Sequence, residues 1–380
     1  MHKTFKYRIY PTRIQRTRMR KALSTCCWLY NHFVEQRTSA WKKDKKSVSM
    51  YDQHMIIPKL KSKNPDLELV HSQALQNVSV RVDLAFKAFF RRCKTRENPG
   101  YPRFHGIDRY DSFTYPQYPS GCALHGKFLH LSKIGVVPVI LHRKMEGIPK
   151  TVTIKRSRTD KWYVTFSCEV AEPKKLKKSK EKIGVDVGLS AFAMLSNGDH
   201  IDNPRFFRKE EKALAHTQRQ HAKLAKGSTE RRDHRKAVAR VHERIAWRRS
   251  DFAHQQTRRI VNRFGFIAVE DLAVNRMLHN RCLSKSISDA AWSQFDGLLA
   301  YKAEWAGRQH VRVNPAYTSQ TCSQCGHRQK MPLSDRTYAC PCCGLSIDRD
   351  LNAAKNILAL GLQGAGPKAP RSRAALAAAE

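Results

Sequence analysis

Two Cys-x-x-Cys pairs near the C-terminus constrain this chain most: Cys322-Ser-Gln-Cys325-Gly and Cys340-Pro-Cys342-Cys343-Gly. Four thiolates at this spacing give closed tetrahedral coordination, so the ion that they hold is a structural zinc. Cys342 competes with its neighbours as a ligand. Cys340 and Cys343 restore the two-residue spacing, and Gly344 follows Cys343 as Gly326 follows Cys325. The odd total of 11 cysteines also fits metal binding better than disulfides, and it points to a reducing, intracellular setting.

The zinc module is spliced into a region that gathers isolated carboxylates. In Ile183-Gly-Val-Asp186-Val-Gly188, Ile183, Val185 and Val187 can face a core while Asp186 points the other way, with Gly184 and Gly188 leaving room beside it. A lone acid in an apolar strand is costly unless something charged pairs with it. Phe266-Ile-Ala-Val-Glu270 repeats the pattern. Asp350 falls in the first turn of a helix whose Ala353, Ala354, Ile357 and Leu358 can pack on a sheet, and Asp348 caps that helix. Asp186, Glu270 and Asp350 are therefore expected to converge at one sheet edge. Oxygen ligands suit Mg²⁺ or Mn²⁺, and a pair of such ions about 4 Å apart supports phosphodiester hydrolysis.

The formal net charge is +39, from 71 basic and 32 acidic side chains spread along the chain. Solubility needs far less, and a polyanionic partner explains it, because each Lys or Arg placed on a phosphate releases counterions. There is no apolar run of about 18 residues, so no membrane span is expected. The start of the chain lacks the long apolar segment of a signal peptide. The expected location is cytoplasmic and nucleoid-associated.

Period-two and helical patterning divides the chain. Residues 5–10 read as a strand, 13–42 and 71–95 as helices, and 103–172 as β structure. Cys26 and Cys27 read as core residues of the first helix. A small β-barrel that includes the N-terminal strand, with a helical lobe inserted, follows from that order. Lys174-Lys-Leu-Lys-Lys-Ser-Lys180 reads as a basic linker between domains. Residues 206–262 read as two helices broken near Lys226-Gly-Ser228. The second carries Arg232, Arg235, Arg240 and Arg248, which are expected to face nucleic acid. The Ala-, Pro-, Arg- and Gly-rich tail, 364–380, is expected to be disordered.

Together these segments resemble the TnpB family, transposon-encoded RNA-guided nucleases related to type V CRISPR effectors. The resemblance rests on Tyr7-Arg-Ile-Tyr-Pro11, Cys26-Cys-Trp-Leu-Tyr-Asn31, Tyr101-Pro-Arg-Phe104 and Ser112-Phe-Thr-Tyr-Pro-Gln117. It rests further on Val185-Asp-Val-Gly188, Val269-Glu-Asp-Leu272, Thr318-Ser-Gln-Thr-Cys-Ser-Gln-Cys-Gly326 and Asp348-Arg-Asp-Leu-Asn-Ala-Ala-Lys-Asn-Ile357. It implies an α/β multidomain protein: a β-barrel wedge (1–12 and 99–173) holding a helical recognition lobe (13–98), then an RNase H-like (RuvC) nuclease domain (180–317 and 348–363) with an inserted zinc ribbon (318–347).

The resemblance puts Asp186, Glu270 and Asp350 on the catalytic positions. It implies a guide RNA from the transposon end; one protein monomer per RNA is the default expectation. The target is double-stranded DNA, cut beside a short adjacent motif, near which Gln76, Tyr115 and Gln117 would lie. The alternatives are an RNA-guided regulator of transposition that binds without cutting, and an unguided RuvC-like nuclease.

Overall fold

The computed structural model describes residues 1–95, 97–332 and 334–364. The tail expected over 364–380 lies outside them, except Gly364. The chain forms two units, Met1–Glu172 and Pro173–Glu380.

The first unit begins with strand β1 (His2–Ile9) and helix α1 (Arg13–Asp44). Helix α2 (Met50–Lys63), a 3-10 turn (Pro65–Leu69) and helix α3 (Ser72–Lys94) follow. Then come β2 (Ser112–Tyr115), β3 (Cys122–His125), β4 (Phe128–Leu131), β5 (Gly135–Ile140), β6 (Ile148–Arg156) and β7 (Trp162–Glu169). The strands form one nearly closed barrel sheet in the order β2-β6-β7-β1-β5-β4-β3. Each neighbouring pair is antiparallel.

Alternation along the strands fills this barrel. Phe5, Tyr7 and Ile9 of β1 point inward, as do Trp162, Val164, Phe166 and Cys168 of β7. Helix α1 starts in a capping box, in which the Gln15 amide donates to Thr12 Oγ1 and the Thr12 amide to Gln15 Oε1. Its buried stripe includes Met19, Leu23, Cys26, Cys27 and Tyr30. Burial pushes the Cys26 thiol up to about 12, as suits a core cysteine. Helix α2 falls in a stretch whose polarity and Pro58 hide it. Its signal is the Ser49/Asp52 box, in which each residue's side chain accepts the other's amide.

The second unit opens with β8 (Lys182–Val187), β9 (Ala191–Leu195) and β10 (His200–Asp202). Helices α4 (Phe206–Lys223) and α5 (Thr229–Arg263) lead to β11 (Phe266–Glu270). Helices α6 (Val274–Met277), α7 (Ser284–Ala290) and α8 (Trp292–Ala306) lead to β12 (Gln309–Val313). The hairpin strands β13 (Thr337–Ala339) and β14 (Ser346–Asp348) precede helix α9 (Arg349–Gly364).

The main sheet runs β10-β9-β8-β11-β12, with β8, β11 and β12 mutually parallel. On one face Ile183, Val185, Ile267 and Val269 join Ile260, Phe295 and Leu299 in a core. On the other, Phe266, Ala268 and Val313 meet Ile357 of α9. Two glycines let α9 lie this close. A Cβ on Gly184 would stand 2.1 Å from the Ala354 carbonyl oxygen, and one on Gly361 would stand 2.6 Å from Ala268 Cβ. The room at Gly184 is thus taken by the α9 backbone rather than left beside Asp186. Among the described residues, no helix is long and apolar enough to cross a membrane.

Candidate active site and zinc site

Strand periodicity delivers two of the three carboxylates. Strands β8 and β11 run parallel, with Val185 paired to Val269, so the next residue of each, Asp186 and Glu270, comes at the same sheet edge. Odd positions of β8 enter the core beneath the sheet, so Asp186 and Glu270 share the face that α9 covers. Asp350 lies in the first turn of α9. Asp348 is the cap: its Oδ1 accepts the amides of Asp350 (2.9 Å) and Leu351 (3.0 Å).

The charges of this cluster act on one another. Burial, followed by the charges of Glu270 and Asp350, holds the Asp186 carboxyl well above the ordinary value of 3.8. Burial also raises Glu270, while a hydrogen bond from the Thr318 hydroxyl (2.6 Å) works against that rise. Arg349 Nε stands 3.5 Å from Asp350 Oδ1, and Arg336 Nη1 stands 3.9 Å from its Oδ2. Half-buried oxygen donors of this kind have the chemistry of ligands for a hard divalent cation, although among the described residues only the four cysteines already bring their ligand atoms as close as a bound ion needs.

The cysteines form a tighter group. The Sγ atoms of Cys322, Cys325, Cys340 and Cys343 all lie within 4.8 Å of one another, and Cys342 stays outside. Two separations, Cys322–Cys343 and Cys325–Cys340, are 3.6 Å. The edge of a zinc–thiolate tetrahedron with bonds near 2.3 Å is about 3.8 Å, so the four thiols fit that ion. The two knuckles repeat one geometry. Gly326 N donates to Cys322 O and Gly344 N to Cys340 O, both at 3.0 Å, while Cys322 N donates to His327 O and Cys340 N to Leu345 O, both at 2.8 Å. Gly326 and Gly344 adopt φ of +76° and +72°, which a side chain would strain. Against the penalty of burial, the amides of Cys343 and Cys342 pull the Cys340 thiol down, while Cys325 and Cys343, hydrogen-bonded within the same cluster, are pushed up, so without an ion the four thiols share their protons.

Three residues outside the predicted site tie these centres together. Asn356 Nδ2 donates to the carbonyls of Thr318 (2.8 Å) and Thr321 (2.6 Å). Asn352 Nδ2 donates to Thr321 O (2.7 Å), and its Oδ1 accepts the Ser323 amide (2.9 Å). Their signal in the sequence was two asparagines one turn apart on the apolar side of a helix. The signal for Thr318, which reaches Glu270, was only its place at the head of the Thr318–Gly326 segment that carries the family resemblance.

The predicted nucleic-acid residues fall differently. Gln76 is exposed on α3, one turn beyond Gln73, whose Nε2 donates to the exposed Gln117 (2.6 Å). Tyr115 is only 1% exposed, with its ring against Phe113 and His71 and its hydroxyl donating to Ser132 O. Inward alternation along β2 makes it a barrel core residue, which corrects its placement beside a duplex. Arg232, Arg235 and Arg240 are exposed on α5. Arg248 Nη1 is paired with Glu210 of α4 (2.9 Å), and Arg244 shares that acid.

Three family profiles match the chain. Residues 292–357 match "Cas12f1-like, TNB domain", residues 165–281 match "Probable transposase", and residues 1–46 match "Helix-turn-helix domain". In this structure residues 1–46 hold strand β1 and the single helix α1. A protein of Streptomyces pristinaespiralis named an RNA-guided DNA endonuclease is 36% identical, over 95% of this chain and 89% of its own length. The Escherichia coli K12 protein InsQ, named likewise, is 30% identical over 94% and 92%. A solved structure of the mini-RNA-guided endonuclease CRISPR-Cas_phi3 aligns with a TM-score of 0.51 over 97% of this chain and 94% of that one; at 10% identity this likeness concerns the fold alone.

Near full-length identity at these levels defines the class, that of the proteins named RNA-guided DNA endonucleases. Within it, the chain belongs to the TnpB family.

Proposed function

We propose that this chain is a transposon-associated RNA-guided DNA endonuclease that hydrolyses phosphodiester bonds with Asp186, Glu270 and Asp350. The observation that carries the reading is the position of Asp186 and Glu270 at the ends of parallel strands, on the face where α9 brings Asp350. We assign this sheet and α9 to a RuvC-like nuclease domain (180–317 and 348–363) with a zinc ribbon (318–347). The barrel (1–12 and 99–173) is a wedge and the helices of 13–98 a recognition lobe.

The three carboxylates would hold divalent ions, and Cys322, Cys325, Cys340 and Cys343 a structural zinc. When bound, a pair of Mg²⁺ or Mn²⁺ ions supplies activation of water and stabilisation of the leaving oxygen. The chain's own part is to fix those oxygens. Gly184 admits α9, the Asp348 cap starts α9 beside Asp350, and Thr318 holds Glu270. The exposed arginines of α5 track phosphates, releasing counterions without reading sequence. Base pairing to a guide RNA reads the target. One monomer acts per RNA, in the cytoplasm and at the nucleoid.

The test is to purify the protein with its cellular RNA, sequence that RNA, and assay Mg²⁺-dependent cutting of a matched plasmid library with randomised flanks. One discrete RNA and cutting beside a fixed short motif are expected. Binding without cutting would make the protein a guided regulator, and indiscriminate cutting with mixed RNA an unguided nuclease.

A further inference from the structure

Glu270 is the longest of the three carboxylates and has the most rotamer freedom to lose when it takes a metal-binding pose. One contact removes much of that freedom. The Thr318 hydroxyl, on a residue 5% exposed, donates to Glu270 Oε1 at 2.6 Å, nearer and more strongly accepting than its other acceptor, the Pro315 carbonyl at 3.2 Å, and little water competes there. The Thr318 backbone is itself held, because Asn356 Nδ2 donates to its carbonyl and to that of Thr321. Asn352 closes the other end of the segment by accepting the Ser323 amide and donating to Thr321 O. Both asparagines are buried on α9, the helix that carries Asp350 two residues before Asn352. Helix α9 therefore supplies Asp350 directly and orients Glu270 through Thr318. The same segment runs into the first zinc knuckle at Cys322.

We propose that Thr318 is a positioning residue for Glu270, held by Asn352 and Asn356, which sets the divalent-ion affinity of the carboxylate site and links that site to the zinc module. The inference rests on the proposed metal site. A metal-binding carboxylate fixed in advance loses less entropy on coordination, and a donor on one oxygen leaves its remaining lone pairs to the ion.

The experiment uses the RNA-bound protein and compares wild type, Thr318→Val, Thr318→Ser and Asp186→Ala. Cleavage rates are titrated with Mg²⁺. Metal occupancy is read separately by Fe²⁺-mediated scission of the polypeptide near the carboxylates, and zinc content and Tm report on folding. Thr318→Val should raise the half-saturating Mg²⁺ concentration by about ten- to a hundredfold, the range for a lost hydrogen bond to a charged group. Its rate at saturating Mg²⁺ should recover and its scission at low Fe²⁺ should fall, with zinc content unchanged. Thr318→Ser should restore the wild-type requirement.

An unchanged Mg²⁺ requirement and unchanged scission in Thr318→Val would overturn the inference. So would equal defects in the Val and Ser variants, since those would mean that packing alone matters. Should Thr318→Val fail to fold, Thr318→Ala takes its place with the same expected results. Asp186→Ala separates the two levels of the argument. If it still cuts, the proposed metal site is wrong; if it is inactive while Thr318→Val behaves as wild type, only the role of Thr318 is.

Discussion

The thiol cluster and the carboxylate cluster meet through one hydrogen-bonded segment, yet they are built in different ways. The four cysteines lie between Cys322 and Cys343, and each knuckle closes on its own backbone with a left-handed glycine at the turn. Asp186, Glu270 and Asp350 share no local motif. They come to one side of the sheet because two parallel strands are in register and a helix packs on them through a gap left by Gly184. The thiol site is local, and its four Sγ atoms stand at the spacing that one ion could bridge. The carboxylate cluster is assembled at long range against burial and then its own repulsion, which together raise Asp186. A site of the first kind tolerates change elsewhere in the fold, whereas one of the second kind depends on tertiary packing.

That contrast breaks first at the carboxylates. Asp350→Ala should reduce RNA-directed cleavage below detection while RNA binding persists, as gel-based cutting and binding assays on one preparation would show; wild-type cutting would remove Asp350 from the site. Cys340→Ser should lose zinc, read by metal analysis, and unfold the ribbon while the β8–β11–β12 sheet survives. Loss of the whole second unit would mean that the thiol site is not local.

Gly184→Ala tests the long-range assembly. The added Cβ meets the Ala354 carbonyl, so α9 must shift, at a cost of about 1–3 kcal/mol in urea unfolding. Cleavage should fall with it, although no charge has changed.

Electrostatics sharpens the comparison further. Because the folded Asp186 titrates above its ordinary 3.8, its ionisation costs stability when no divalent ion is present. The cost is absent below that value, grows as pH rises from it, and is complete above the raised one. Asp186→Asn should therefore raise Tm at neutral pH in magnesium-free buffer, and the gain should vanish towards the acid range. A pH-independent difference would refute the assignment. The smallest effect belongs to Asp348→Ala, which loses a helix cap worth about 1 kcal/mol and should keep measurable cleavage.

Much of this was legible because it obeys short periods. The inward residues of β1 and β7, the buried stripe of α1 and the break between α4 and α5 follow from alternation or helical spacing. Asp186 and Glu270 stood out as acids in apolar strands, and Asp348 as a cap before Asp350. Helix α2 was hidden because polar residues and Pro58 mask a helix started by its capping box. Tyr115 was misplaced because the resemblance carries over a position in the chain and not the face of the strand on which its side chain falls. Thr318 stood at the head of a segment that carries the family resemblance, but its role was hidden, because a threonine four residues before a cysteine has no local pattern that points to a carboxylate, and only the fold shows it beside Glu270.

By itself, then, the sequence determined the four-cysteine cluster and the strong basic charge, since these depend on residue type and local spacing. Tertiary structure decided which face of the sheet α9 covers, how close it comes, and which neutral side chains hold the charged ones. Those depend on residues far apart in the chain being brought within hydrogen-bond or van der Waals distance, and no local pattern records that.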